Sequence, residues 1–157
     1  MTDHASRSPA VHATTARTGV PVGERLLALI AAALLGVDAF VHLRYAANYD
    51  GFKSSVMTEG TLFRIQAVVA IVVAVLLLIW PRVITWLLSL LVAGSAAVAV
   101  TLYTYVNVGQ LGPLPNLYEN TWQPAGKVPS AIAEAAAALI SLIGLVMALR
   151  RRRLRRG

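Results

Sequence analysis

The chain has no cysteine. That excludes disulfides, thiol redox chemistry, thiolate metal ligands and haem attached through Cys-x-x-Cys-His. Charge is scarce as well. Asp, Glu, Lys and Arg make up 13% of the 157 residues, about half their share in soluble domains. Acids are the scarcer sign, seven against fourteen lysines and arginines, giving a formal charge of +7. No internal repeat, low-complexity tract or glycine-rich nucleotide loop stands out. Two of the three histidines, His4 and His12, stand in the polar N-terminal segment. Two-histidine haem ligation would then need His42 from each of two copies.

What the chain has is long apolar runs, over residues 26–47, 61–80, 83–106 and 129–149. About 20 residues at about 1.5 Å each match a hydrocarbon core of about 30 Å. The fold class expected is therefore all-α, an integral membrane antiparallel four-helix bundle. Residues 23–149 form the transmembrane domain. Residues 1–22, rich in Ala, Thr, Ser and His without hydrophobic periodicity, form a disordered tail. Residues 150–157 form a basic tail. The first run is longer than a signal-peptide core, and Asp38, His42 and Arg44 interrupt its end, so it is read as a span. Runs of Ala and Gly in the third and fourth spans (Ala93, Gly94, Ala96, Ala97; Ala133, Ala135, Ala136, Ala137) let helix backbones approach closely.

Charge sets the orientation. Six arginines (Arg150, Arg151, Arg152, Arg153, Arg155 and Arg156) crowd the last eight residues, and positive charge stays cytoplasmic. Arg7, Arg17 and Arg25 favour the same side for the N-terminus, and Arg82 in the tight Trp80-Pro81-Arg82 connection agrees. An even number of spans puts both termini on the cytoplasmic side. The loops 48–60 and 107–128 then face outward, with Tyr118 and Trp122 at the interface. The arginine tail directly follows a span. It therefore suits anionic lipid head groups, at about 1 kcal/mol per residue, rather than nucleic acid.

The informative residues are polar ones inside the runs. Asp38, His42, Tyr45 and Tyr49 recur at helical spacing and share one face. Arg64 and Gln66 lie near the outer end of the second run, Tyr103 and its polar neighbours in the outer third of the third, and Ser130 and Glu134 near the start of the fourth. A lone charge in a membrane helix costs about 2.5–3.5 kcal/mol on insertion scales. Asp38, Glu134 and Arg64 are therefore expected to turn inward and pair, with His42 bridging. The candidate ligand- or proton-binding residues are Asp38, His42, Tyr45, Arg64, Gln66, Tyr103 and Glu134. No nucleophile, base and orienting group stand out together, so no catalytic set is named and no cofactor is assigned. No metal is assigned either; Asp38, His42 and Glu134 are a metal-ligand set by residue type, on a spacing that is weak by itself.

The stretches His42-Leu43-x-Tyr45, Tyr49-x-Gly51-Phe52 and Gly60-x-Leu62-Phe63-x-x-Gln66, with Glu134 on an alanine-rich fourth helix, resemble a family of small uncharacterised four-span membrane proteins of actinobacteria. Lys53-Ser54-Ser55-Val56 departs from the proline-containing turn common there. The architecture alone is similar to DoxX-type proteins. The resemblance implies topology and a bacterial cell membrane, and no reaction. Three functions fit these residues. The first is a non-enzymatic accessory or interaction subunit in a homo-oligomer or larger membrane complex, its polar cluster a lock between helices. The second is a ligand-, cation- or proton-binding or transport protein working as an oligomer. The third is a membrane enzyme acting on a lipid or quinone.

Overall fold

A computed structural model describes residues 19–155. The tail expected to be disordered falls almost wholly outside the described residues, as do His4, His12 and Arg156. The described chain forms α1 (Val22–Tyr45), a 3-10 turn (Ala46–Tyr49), α2 (Glu59–Ile79), α3 (Val83–Tyr105) and α4 (Lys127–Leu154). No strand occurs among the described residues, only an isolated bridge between Lys53 and Thr58. All four helices are long and apolar enough to cross a membrane.

Local chemistry sets the helix ends. The Thr58 side chain accepts from the Thr61 N–H at 3.0 Å and caps α2. Pro81 disfavours helical backbone at Trp80 and stops α2. Thr85 Oγ1 accepts from the Arg82 N–H at 2.9 Å and starts α3 two residues later. Pro129 sits in the first turn of α4, where its missing N–H would have had no partner. At its far end α4 continues through Leu154, so the first arginines extend the helix instead of beginning a separate tail.

α1 packs along both α2 and α4, α3 packs along α4, and α2 meets α3 less closely. Alanine dominates the buried apolar residues, including Ala28, Ala31, Ala39, Ala67, Ala70, Ala93 and Ala137. Leu29, Phe40, Val68, Val72, Val98 and Leu139 are exposed. Water would penalise such a surface, whereas lipid does not.

Trp86 is the largest side chain in a second core cluster with Ala28, Ala31, Leu77 and Ala148. A Cβ at Gly144 would lie 2.5 Å from its indole, so α4 needs glycine there. The indole Nε1–H donates to Glu24 Oε1 at 3.2 Å, and Arg151 Nη2 donates to the same oxygen at 3.0 Å and to the Pro81 carbonyl at 3.0 Å. This knot ties α1, α3, α4 and the α2–α3 connection together. Within the arginine tail, Arg151 therefore turns inward. Ser89 and Ser141 meet at 2.7 Å between α3 and α4.

Candidate functional site

At the opposite end from the Glu24–Trp86–Arg151 knot, the helices part around a cavity of about 400 Å³. All four helices line it. α1 and its 3-10 turn give His42, Tyr45 and Tyr49, α2 gives Glu59, Phe63 and Gln66, α3 gives Ala96, Ala99 and Tyr103, and α4 gives Lys127, Ser130 and Glu134. Ile65 of α2 and Ser95 of α3 line it while exposed, so it also reaches the surface between those helices. Small side chains on α3 leave the space that larger ones would fill.

The floor is a hydrogen-bonded cluster. Asp38 is 1% exposed and lies behind the lining residues. Its Oδ1 is 2.8 Å from His42 Nδ1, which is also 3.0 Å from the Asp38 backbone carbonyl. Both neighbours are acceptors, so Nδ1 carries the hydrogen. Gln66 Nε2 donates to Asp38 Oδ2 at 3.2 Å. Ser130 Oγ lies 3.3 Å from Asp38 Oδ1 and 3.1 Å from Glu134 Oε1, so its one hydrogen is shared between two carboxylates. Glu134 is 2% exposed, and its Oε2 has no hydrogen-bond partner. One ligand atom from each of Asp38, His42 and Glu134 lies within 4.8 Å of the others. Phe63 meets the His42 ring edge-on at 4.9 Å and the Tyr49 ring at 4.8 Å, holding both toward the cavity.

The long loop before α4 closes over the mouth. Leu117, Glu119 and Pro124 line the cavity from above. The Glu119 N–H donates to the Tyr103 carbonyl at 3.0 Å, fixing the loop on α3. Tyr49 OH lies 3.2 Å from both Glu119 carboxylate oxygens. Lys127 Nζ donates to Glu119 Oε2 at 3.2 Å, to the Glu119 carbonyl at 3.1 Å and to the Thr121 carbonyl at 2.7 Å. Any side chain at Gly126 would run into the Tyr45 ring, so glycine lets α4 start against α1. Trp122 donates from Nε1 to Tyr105 OH at 3.2 Å, tying this aromatic to α3.

Of the residues singled out from sequence, His42, Tyr45, Gln66, Tyr103 and Glu134 line the cavity, and Asp38 stands directly behind it. Arg64 does not join them. Its guanidinium makes a two-pronged pair with Asp50 at 2.8 Å on an exposed surface, so it ties neither Asp38 nor Glu134. The hydrogen bond from Arg64 holds the Asp50 carboxyl below the usual carboxylate range. Arg44 is exposed, 5.9 Å over the Tyr45 ring, and also stays out. Glu59, Glu119 and Lys127 were not expected in the site. Glu59 reads from sequence as a first-turn acid beside a Thr cap, and Glu119 and Lys127 sit near a loop without periodicity.

The acids are distributed unevenly. Of the seven in the chain, Glu59, Glu119 and Glu134 line this cavity and Asp38 backs it, against one lysine and His42. Comparison with protein-family models, curated proteins and solved structures finds no match for the chain.

Proposed function

We propose that the chain is a multi-pass cation-binding protein of a bacterial inner membrane. On this reading it is an antiparallel bundle with both termini cytoplasmic, so the cavity opens in the outer half. The likeness of its motifs to the small actinobacterial four-span proteins belongs to the same proposal. The observation that carries it is four carboxyls around one cavity, with Lys127 and His42 the only bases that line it among the described residues. Holding Asp38 and Glu134 at membrane depth, with Glu59 and Glu119 nearer the mouth, is costly unless positive charge offsets them. Tyr45, Tyr49, Tyr103 and Phe63 add aromatic faces, which attract cations through the ring quadrupole. Carrying a cation across the membrane would need a second copy, since four helices enclose little of an alternating-access path.

One observation favours a second reading, an accessory subunit in which the cluster only locks helices. Asp38 is engaged by three side chains from α1, α2 and α4. The cavity and the unpartnered Glu134 oxygen favour the first reading, because a lock gains nothing from either.

Tetramethylammonium is the simplest probe. Added to the detergent-purified protein, it should raise the unfolding temperature above that given by sodium chloride of equal ionic strength. Ala99→Trp, which fills the cavity from α3, should remove that difference. An identical response to the two salts in the wild type would overturn the reading.

A further inference from the structure

We propose that Asp38, His42 and Glu134 form a binding site for one divalent transition-metal cation of the Zn²⁺ or Mn²⁺ kind. This rests on the cation-binding reading above and names the ligand class at the cavity floor. Three features converge on it. First, one imidazole and two carboxylates come from α1 and α4, with one ligand atom of each within 4.8 Å of the others. Tetrahedral ligands about 2.1 Å from a common ion lie about 3.4 Å apart, so closing the set draws these side chains together by up to about 1.4 Å, a rotamer-scale movement that the neighbouring cavity allows. Second, Glu134 is 2% exposed, lines the cavity and has an oxygen, Oε2, with no hydrogen-bond partner. A buried carboxylate oxygen without a hydrogen-bond partner, close to an imidazole, is suited to a cation. Third, the nearest fixed cations are spent elsewhere. Lys127 is held by Glu119 and two carbonyls, and Arg64 by Asp50. A dication would replace the Nδ1 hydrogen that His42 shares with Asp38, releasing it as a proton, and would bring charge that no lysine or arginine among the described residues brings to Asp38 and Glu134.

The surroundings complete the set. Gln66 donates to Asp38 Oδ2, and Ser130 donates between the two carboxylates, so both acids are oriented by neighbours as metal-ligating acids usually are. Phe63 fixes the His42 ring. The cavity gives the ion a route in. The imidazole favours zinc and the two carboxylates also admit manganese, whereas calcium and magnesium prefer all-oxygen sets.

Chelator-treated protein in detergent, on a His4→Ala/His12→Ala background that removes the other histidines, should take up one equivalent of Zn²⁺ or Mn²⁺ in equilibrium dialysis. Glu134→Gln and His42→Gln should each weaken uptake about 100-fold or more, and Gln66→Leu about 10- to 100-fold. Asp50→Asn, remote from the cluster, should leave it unchanged. Cobalt(II) titrated into the unsubstituted cluster reads the same site without relying on a variant: weak visible bands should saturate at one equivalent. If neither Zn²⁺ nor Mn²⁺ binds but tetramethylammonium still stabilises the protein, the metal site is wrong and the cation-binding reading stands. If neither metal nor tetramethylammonium has any effect, both fall. Metal uptake indifferent to Glu134→Gln and His42→Gln would also overturn the site.

Discussion

Glu134→Met should make the protein more stable and at the same time remove its response to cations. The Glu134 carboxyl is buried, one of its oxygens has no hydrogen-bond partner, and Asp38 shares Ser130 with it. A buried polar group without a partner costs about 1–3 kcal/mol. Methionine matches the glutamate side chain in length, is unbranched and carries no charge, so the cavity floor keeps its shape. Ser130 loses one acceptor and keeps the other, Asp38. The unfolding midpoint in mixed micelles should therefore rise, while tetramethylammonium and metal no longer shift it. A helix lock predicts the reverse sign, since removing a partner from a lock loosens it. A fall in the midpoint would favour the accessory-subunit reading. Gain in stability with loss of binding is the usual trade at a site held for function.

The largest loss of stability should come at the other end. Trp86 is fully buried, with Gly144 stacked too close for any side chain and Glu24 accepting from its indole. Trp86→Ala removes the largest side chain of that core cluster and leaves a cavity that Leu77 and the surrounding alanines do not fill. Large-to-small changes of this kind cost about 3–5 kcal/mol. Glu24 keeps Arg151 as a partner, so the loss is one of packing more than of charge. The expected result is a fall of that size in an unfolding titration followed by circular dichroism. A change under about 1 kcal/mol would mean that the cluster around Trp86 does not hold the helices together.

The helices were legible because length and apolarity alone mark them, and Trp80-Pro81-Arg82 marks the tight connection. The shared face of Asp38, His42, Tyr45 and Tyr49 was legible because helical spacing fixes it within one element. Which way each face points was harder. α2 is apolar nearly all round, so its pattern does not say which side meets α1. Arg64 shows the consequence: it is two residues from Gln66, and residues two apart on a helix do not share a face. With Gln66 turned to Asp38, Arg64 had to face away, where Asp50 meets it. Nothing near Glu24 in the sequence marks its role, because its partners, Trp86 and Arg151, are distant in sequence. Glu119 and Lys127 owe their places to the path of a long loop, and loop paths carry no periodic signal. The cavity has no signature of its own in the sequence. It is lined together by Ala96 and Ala99 of α3 with Tyr45 of α1 and Phe63 of α2, a grouping that only the packed helices define.

The absence of cysteine allows a direct test of the acidic cavity. A single thiol introduced by Ala99→Cys would line it. The rates at which two methanethiosulfonate reagents of similar size label that thiol, one carrying trimethylammonium and the other sulfonate, report the field inside. With four carboxyls around the space, the cationic reagent should react about tenfold faster or more, after correction for free-thiol reactivity, and high salt should shrink the ratio. Equal rates, or faster labelling by the sulfonate, would contradict an acidic cation-binding cavity between these helices.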